Sequence, residues 1–264
     1  MLHTIVCLKV VPKSEEVTID EQTRTLDRAS ARSEINSPDM NALEVALQLK
    51  SRHGGRVSLV SMGPPMFERF LRLGLAMGAD AAFLLSDRAF GGADTLATSL
   101  TLAEGIKAIG DFDLILCGDE SSDGATGQVP PAIAEWLDLP QVTYANRLKL
   151  VDGSLRARRQ LHAGFEEVEA HLPCVVSLVQ DINEPRFLDF ARFEWAMDDA
   201  PVTIWSAQDL RLDPSQVGLE GSPTTVAGVS LARGAERRRE FISGTPEEIT
   251  DKLLEKIRPW VRSA

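Results

Sequence analysis

The residues with the clearest chemical potential form a loop of small and polar side chains, CGDESSDGATGQVPP at 117–131. A strand-like run at 113–117 leads into this loop, and a helix-like run at 132–137 follows it. The first N–H groups of a helix have no partner within that helix and carry partial positive charge. The N–H groups from Thr126 to Val129 could therefore bind a phosphate, with small residues allowing its close approach. The other interpretation is an ordinary surface connection.

Motifs for common catalytic and metal sites are missing from the sequence. It contains no GxxxxGK(S/T) phosphate loop, no GxGxxG after the first strand-like run, no HExxH and no CxxC pair. Ser121 and Ser122 do not lie in a nucleophile elbow. Four histidines lack a partner at a useful spacing: His3, His53, His162 and His171. We therefore predict no catalytic acid–base set and no metal site.

The composition favours a globular chain over one that binds nucleic acid or a membrane. The 264 residues are 44% hydrophobic and 25% charged, with a net charge of −11 and a pI near 4.9. An acidic surface disfavours nucleic acid and anionic membranes, because both require a basic footprint. No apolar run approaches the ~18–20 residues of a membrane span. The start of the chain lacks the architecture of a signal peptide, so we expect no membrane insertion.

Three cysteines, Cys7, Cys117 and Cys174, lie far apart in apolar, strand-like runs. Their number is odd, and no two of them form a CxxC pair. This pattern indicates reduced thiols in a hydrophobic core and predicts a cytoplasmic protein.

Strand-like and helix-like runs alternate about five times over the first ~145 residues. Strands are predicted at 2–11, 56–60, 81–85, 113–117 and 141–144, and helices at 37–53, 65–77, 94–109 and 127–138. The first helix is predicted to have Ser37 as its N-cap and Pro38 at N1. This order predicts a mostly parallel sheet with right-handed crossovers and helices on both faces. Ligands of such sheets bind beyond the carboxyl ends of the strands, where residues 118–131 would lie.

The second half of the chain has a different pattern. Runs typical of β-strands follow one another at 147–151, 155–163, 165–171 and 174–179, and a short hairpin is predicted earlier, at 16–20 and 24–28. After Pro185, periodic segments are rare until a capping box at 245–248 opens a last helix. Such a tail cannot bury enough apolar surface to offset its ordering entropy. We expect it to lie on another chain, since it contains Trp195, Trp205 and Trp260.

Several stretches together resemble the β subunit of electron-transfer flavoproteins. They are VCLKVVP at 6–12, INSPD at 35–39, ALE at 42–44, VSMGPP at 60–65, LAMGAD at 75–80, LLSDRAF at 84–90, DTLAT at 94–98, DLILCG at 113–118, DGATGQV at 123–129, LP at 172–173 and NEPR at 183–186. The resemblance covers roughly residues 2–260. It depends on the combination, because no single stretch is specific.

The resemblance implies an α/β architecture: a parallel-sheet, adenine-nucleotide-binding, Rossmann-like fold with an added β segment and an extended C-terminal arm. It implies a nucleotide-binding domain at 1–184, a partner-recognition loop at 185–200, and an arm at 201–264 that wraps the α subunit. In this family the α subunit carries the redox FAD. The β subunit holds AMP in ordinary members, and a second FAD that accepts hydride from NADH in electron-bifurcating members.

Eleven residues match the family's nucleotide contacts: Cys7, Asn36, Asp39, Met62, Gly118, Asp123, Gly124, Thr126, Gly127, Gln128 and Val129. The sequence departs from the family where Asp119 and Glu120 replace a basic residue and glutamine, Ala125 replaces an acid, and Pro130 replaces glycine. The added carboxylates disfavour an anionic reduced flavin. Val129, by contrast, is typical of bifurcating members, where AMP-binding members carry threonine. The sequence favours AMP, with FAD as the alternative.

The stretch FLDFARFEWAMDD at 187–199 follows NEPR, where the family has its recognition loop. Phe190 falls at the position of the family's leucine anchor, and acids replace its lysine-rich run. Exposed aromatic residues surrounded by charge are typical of a partner hot spot. The predicted partner-binding residues are Phe187, Leu188, Phe190, Phe193 and Trp195. The implied partners are the α subunit, a donor of the acyl-CoA dehydrogenase type, and an acceptor resembling the quinone oxidoreductase of electron-transfer flavoproteins.

Two other classes of nucleotide-binding protein fit the sequence less well. An ATP-using adenylating or pyrophosphatase domain needs a Ser/Gly phosphate loop after its first strand, but KVVPK stands there at 9–13. A stress-type binding domain does not account for the long tail.

Overall fold

The computed structural model describes residues 1–13, 18–20, 25–27, 32–225 and 239–261. The chain divides into two compact units, Met1–Val229 and Ser230–Ala264. Within the described ranges, the helices are all too short or too polar to cross a membrane.

The first unit alternates strands and helices through most of its length. In chain order its elements are β1 (His3–Cys7), β2 (Val10–Pro12), β3 (Thr18–Asp20), β4 (Thr25–Asp27), β5 (Ser33–Ile35), α1 (Ser37–His53), β6 (Arg56–Met62), α2 (Glu68–Met77), β7 (Ala81–Leu85), α3 (Thr95–Ile109), β8 (Leu114–Gly118), α4 (Val129–Leu137), β9 (Gln141–Val151), β10 (Ser154–Leu161), β11 (Gly164–His171), β12 (Cys174–Leu178), α5 (Phe190–Asp198) and β13 (Val202–Trp205).

Nine strands form the main sheet, in the order β11-β10-β9-β12-β8-β1-β6-β7-β13. From β9 to β13 in this order, neighbouring strands pair in parallel. Strands β9, β10 and β11 form an antiparallel extension at one edge. The predicted α/β fold, with its mostly parallel sheet and added β segment, is confirmed. Strands β3 and β4 pair antiparallel within the predicted hairpin; its residues 16, 17, 24 and 28 lie outside the described ranges.

Helices cover both faces of the sheet, because successive residues of a strand point to opposite sides. In β1, Val6 packs into a first hydrophobic cluster with Leu43 of α1 and Leu71 of α2. Its neighbour Ile5 packs into a second cluster, with Ile106 of α3 and Ile133 of α4. All six of these side chains are almost fully buried. The sheet is therefore packed on both faces, and the loops at its carboxyl edge are in a position to form a binding site.

Several element boundaries differ from prediction. The strand predicted at 2–11 is divided into β1 and β2, which lie in different sheets, and the helix predicted at 65–77 has its α-helical part, α2, from Glu68. The N-cap of α1 is Asn36 rather than Ser37, which is the first helical residue. The runs at 141–144 and 147–151 form one strand, β9, with irregular pairing near its middle. Helix α4 begins at Val129, two residues later than predicted.

Residues after Pro185 contain more structure than their sequence pattern predicts. Strand β13 extends the main sheet by pairing in parallel with β7. Helix α5 contributes Ala196 to the first cluster, which also contains Ala200. The compact first unit therefore includes part of the stretch assigned to a recognition loop and an arm. The wrapping of an α subunit by 201–264 stays a prediction.

The second unit contains α6 (Pro246–Val261). The N–H of Thr245 donates to the carboxylate of Glu248 at 3.1 Å, and the N–H of Glu248 donates to the hydroxyl of Thr245 at 3.3 Å. This is the predicted capping box, and it is confirmed.

Candidate functional site

The candidate site lies where the order of strands reverses. From β1 the chain continues to β6 and β7 on one side, and then returns to β8 on the other side of β1. The carboxyl ends of β1 and β8 therefore border the crevice in which ligands of open parallel sheets bind. The polar loop at 119–128 follows β8 and leads directly into α4.

Asp39 joins the two strands that border the crevice. Its Oδ2 accepts the N–H of Lys9 at 2.8 Å, and its Oδ1 accepts the N–H of Gly118 at 2.8 Å. A Cβ atom at Gly118 would lie 2.5 Å from that Oδ1, so only glycine permits this approach. Burial raises the pKa of Asp39 to about 6, although the hydrogen bonds from Lys9 and Gly118 act in the opposite direction. Asp39 was predicted as a nucleotide contact, and both of its carboxylate oxygens bind the protein's own backbone.

Asn36 fixes the start of the polar loop. Its Nδ2 donates to the carbonyl of Glu120 at 2.9 Å, and its Oδ1 accepts the N–H of Ser122 at 3.2 Å. The side chain is almost fully buried. The stretch NSPD at 36–39 therefore builds the crevice by holding β1, β8 and the loop together.

Lys9 crosses the crevice and is not among the eleven predicted nucleotide contacts, although it stands near the end of the first predicted strand. Its Nζ donates to the hydroxyl of Ser121 at 2.9 Å and forms an ion pair with Asp123 at 2.5 Å. The N–H groups of Gly124 and Ala125 donate to the carbonyl of Ser121, which folds the loop back on itself. The sequence feature that points to Lys9 is its position as the single charged residue within the first apolar run.

The start of α4 is open to an anion. Helix α4 has no side-chain cap, and the N–H groups of Thr126, Gly127 and Val129 have no hydrogen-bond partner among the described residues. The N–H of Gln128 makes only a long contact of 3.5 Å with the hydroxyl of Thr126. Gly127 has φ +62°, a left-handed conformation that glycine adopts without strain. These are the four N–H groups that the sequence predicted as a phosphate site.

The remaining predicted contacts lie beside or beneath the loop. The thiol of Cys7 is buried in the second cluster, which also contains Cys117. A hydrogen bond with the neighbouring Cys7 thiol, together with burial, raises the pKa of Cys117. Met62 ends β6, on the far side of β1 from the loop, and packs against the second cluster. The structure thus groups most of the predicted residues around the α4 start, and places Met62 one strand away.

The predicted partner-recognition stretch, 185–200, contains helix α5 at Phe190–Asp198. Phe187 and Phe190 are 96% and 89% exposed, and Phe193 is 38% exposed. Leu188 and Trp195 face the other way and pack against the first cluster. Of the five predicted partner residues, the three phenylalanines are available to another protein.

Helix α5 is fixed to α2 by a reciprocal pair of arginines. Arg72 of α2 donates to the carbonyls of Ala196 and Ala200, at 2.8 and 3.3 Å. Arg192 of α5 donates to the carbonyls of Leu75 and Ala79, at 3.3 and 2.7 Å. Each guanidinium therefore satisfies carbonyl groups at the end of the opposite helix. The exposed phenylalanines stand on a rigid support.

The stretch NEPR at 183–186 docks on α1. Arg186 makes a two-point ion pair with Glu44, with distances of 2.7 and 3.1 Å. Asn41 and Asn183 exchange hydrogen bonds in both directions. Burial raises the pKa of Glu44, but its bonds to Arg186 and Gln48 outweigh burial and leave that pKa lowered. A cleft of about 640 Å³ lies beside this contact, lined by Ser37, Met40, Asn41, Gln180, Asp181, Asn183, Glu184 and Pro185.

Comparison with known proteins identifies the family. A family profile described as "Electron transfer flavoprotein domain" matches residues 23–210. The chain is 45% identical over 257 residues to "Electron transfer flavoprotein subunit beta" of Clostridium acetobutylicum, covering 97% of this chain and 98% of that protein. It is 43% identical over 259 residues to "Caffeyl-CoA reductase-Etf complex subunit CarD" of Acetobacterium woodii, with the same coverage. It is 38% identical over 267 residues to "Protein FixA" of Azotobacter vinelandii, covering 97% of this chain and 94% of that protein.

The profile match spans most of the chain, and these relatives align over nearly its whole length. The polar loop after β8 and the NEPR contact on α1 lie within the matched residues. The chain therefore belongs to the electron transfer flavoprotein family, as a β-type subunit that takes part in electron transport as half of a heterodimer with an α subunit.

Proposed function

We propose that this chain binds AMP as a structural nucleotide in the crevice between β1 and β8. In the heterodimer it helps to carry electrons from flavoenzymes of the acyl-CoA dehydrogenase type to a quinone-linked oxidoreductase. The electrons travel through FAD on the α subunit, and this chain covers one side of that flavin site. The β chain itself acts as a carrier subunit rather than a catalyst.

The observation that carries the nucleotide proposal is the uncapped start of α4. Three backbone N–H groups, at Thr126, Gly127 and Val129, lack a partner within the described residues. A phosphate would satisfy these groups and would also be stabilised by the helix dipole. Lys9 lies beside the same loop, through its contact with Ser121, and brings a positive charge to it.

AMP is preferred over a second FAD because of the charges on the loop. Burial raises the pKa of Asp119, which is half-buried beside the exposed Glu120. Two carboxyl groups at the border of the crevice disfavour the added negative charge of a reduced flavin. AMP undergoes no such change of charge during electron transfer.

A second FAD that accepts hydride from NADH is the other candidate. The observation in its favour is Val129, the first residue of α4, which packs against the second cluster. Valine here matches the bifurcating members that the sequence resembles.

The nucleotide content of the heterodimer separates these candidates. The chain is co-expressed with its α subunit, the purified complex is denatured, and the released nucleotides are quantified by chromatography. One FAD and one AMP per heterodimer support the proposal. Two FAD per heterodimer overturn AMP binding and support the bifurcating alternative. ATP turnover by the isolated β chain contradicts both.

The donor is proposed from the exposed face of α5. Phe190 projects from α5, which two arginines hold in place, and the exposed Phe187 lies three residues before this helix. A rigid aromatic surface is typical of a partner hot spot. The name of the Acetobacterium woodii relative places that protein in a complex of a CoA-thioester reductase with an electron transfer flavoprotein. This supports a donor or acceptor that acts on CoA thioesters.

Replacement of Phe190 by alanine tests this docking surface. Electron transfer from the cognate dehydrogenase should slow, with a raised apparent KM for the heterodimer. Phe165→Ala is the matched control, because Phe165 is 59% exposed on β11, a strand of the antiparallel extension. Equal rates for Phe190→Ala and the wild type contradict the proposed surface.

The second unit supports the proposed arm around the α subunit. Helix α6 exposes Leu253, Leu254 and Ile257, each between 39% and 48% accessible. Their spacing places them on one side of the helix. Phe241, which precedes the helix, is 90% exposed. An apolar stripe of this kind suits burial against another protein.

A further inference from the structure

Tyr144 has a backbone conformation that is unusual for its position. Its φ is +57°, in the left-handed region that non-glycine residues rarely adopt. Six described non-glycine residues have positive φ, and the other five lie in turns, in the polar loop or at a helix end: Asp111, Ala125, Asp138, Asp152 and Arg211. Tyr144 lies within β9. Strain of this kind persists only where the surroundings impose it, and it often marks a functional position.

The surroundings of Tyr144 impose this conformation. Its N–H donates to the hydroxyl of Ser177 at 3.1 Å, and Ser177 is almost fully buried in β12. Next to it, the hydroxyl of Thr143 accepts from Arg159 at 2.6 Å. The pairing of β9 shifts register on both sides, against β12 and against β10. Two neighbouring strands therefore hold the bulge, which directs the tyrosine towards the carboxyl edge of the sheet.

The Tyr144 hydroxyl reaches the polar loop. A Cβ atom built on Gly127 would lie 2.7 Å from this hydroxyl oxygen, so the tyrosine occupies the space beside Gly127. The hydroxyl has no hydrogen-bond partner in the part of the chain that the structure describes, and the residue is 39% exposed. Tyr144 is the chain's single tyrosine. Its polar end thus stands next to the unpaired N–H groups at the start of α4.

We propose that Tyr144 is a nucleotide-binding residue whose hydroxyl donates a hydrogen bond to the phosphate held by the α4 start. This inference rests on the proposed nucleotide site and adds a side-chain ligand to its backbone N–H groups. The bulge in β9 explains how a residue within the sheet can reach the loop. The left-handed conformation of Tyr144 is then a structural requirement of nucleotide binding.

The test compares AMP with adenosine, which lacks the phosphate. Heterodimers are stripped of nucleotide, and both ligands are titrated by calorimetry into wild type and Tyr144→Phe. A hydrogen bond to a charged group predicts a loss in AMP affinity of about tenfold or more. Adenosine affinity should be unchanged. Equal AMP affinity in the two proteins, or an equal loss for AMP and adenosine, overturns the role of the hydroxyl.

A second variant separates binding from folding. Tyr144→Gly removes the side chain and suits the left-handed backbone, so its melting temperature without nucleotide should equal or exceed that of the wild type, while AMP binding should weaken. Retention of wild-type AMP affinity by Tyr144→Gly contradicts the inference. If the wild type binds AMP and Tyr144→Phe binds it equally well, the proposed nucleotide site is still supported. Only the role of the Tyr144 hydroxyl is then contradicted. A wild-type heterodimer that does not bind AMP overturns the proposed site itself.

Discussion

Helices α3 and α4 begin side by side at the carboxyl edge of the sheet. Their N-termini differ in capping: a side chain caps α3, and none caps α4. The hydroxyl of Thr95, the first residue of α3, donates to Oε1 of Gln128 at the start of α4 at 2.8 Å. At α3, the carboxylate of Asp94 accepts the N–H groups of Leu96 and Ala97. At α4, no side chain caps the helix.

The difference indicates which start is structural and which is available for a ligand. The carboxylate of Asp94 also accepts from the hydroxyl and N–H of Thr224, so its acceptor sites are used within the chain. A phosphate near α3 would meet that negative charge. At α4, Pro130 and Pro131 have no N–H group, so the donors are concentrated at residues 126–129. A small anion is therefore directed to one of two adjacent helix starts.

A negative charge at the α4 start should have the largest effect. Gln128→Glu keeps the length of the side chain and its acceptor for Thr95, but it adds a carboxylate beside the phosphate. At a separation of about 5 Å and an effective dielectric constant near 20, repulsion of a phosphate costs roughly 3–4 kcal/mol. AMP affinity, measured by calorimetry on the stripped heterodimer, should fall about 10²–10³-fold.

Gln160→Glu is the matched control for that substitution. It adds the same charge at an exposed position on β10, within the antiparallel extension. It should leave AMP affinity within about twofold, because an exposed charge beyond a Debye length is largely screened. An unchanged affinity in Gln128→Glu would show that the phosphate does not bind at α4.

The elements of this comparison were predictable from sequence to different degrees. The strand at 114–118, the small polar loop and the helix after it follow from hydrophobic periodicity and from Gly and Pro. The four N–H donors follow from the position of the loop. The roles of Asn36 and Asp39 do not, because their partners at Glu120 and Gly118 are about 80 residues away in the chain.

Long-range contacts explain the other differences. The sequence of α5 has weak hydrophobic periodicity because the helix is held in place by two arginine–carbonyl contacts with α2 as well as by apolar burial. Strand β13 has only four residues and lies at an edge. The bulge at Tyr144 depends on Ser177 and Arg159, neither of which is close in sequence. Such features depend on tertiary contacts that a local sequence pattern does not contain.

The second prediction concerns the pH dependence of stability. The contributions of Asp39 and Asp94 to the free energy of unfolding should change in opposite directions as the pH rises. Asp39 has a folded pKa of about 6, above its ordinary value of 3.8 because it is buried. Its contribution to the free energy of unfolding is therefore fully present below pH ~4 and is lost as the pH rises through ~6. For Asp94, burial raises the pKa, but hydrogen bonds from Thr224, Ala97 and Leu96 outweigh burial and leave it lowered. The contribution of Asp94 is present above pH ~4 and is lost at lower pH.

Urea denaturation from pH 4 to pH 7 checks this prediction. The stability of wild type relative to Asp39→Asn should decrease by about 2–3 kcal/mol over this range, since each pKa unit corresponds to ~1.4 kcal/mol. Wild type relative to Asp94→Asn should show no such decrease. A constant difference between wild type and Asp39→Asn would mean that the backbone N–H groups of Lys9 and Gly118 compensate for the burial of the carboxylate.

Removal of the α3 cap should have the smallest of the three effects. Asp94→Ala leaves the N–H groups of Leu96 and Ala97 without their acceptor and releases Thr224. Loss of an N-cap costs about 1–2 kcal/mol, which urea denaturation at neutral pH measures. AMP affinity should stay within about twofold, because the cap belongs to the neighbouring helix. Asp213→Ala is the control, since Asp213 caps only a single 3₁₀ turn and should cost less. A large loss of AMP affinity in Asp94→Ala, with little loss of stability, would reverse the assignment of the two helix starts, because it would place the ligand at α3.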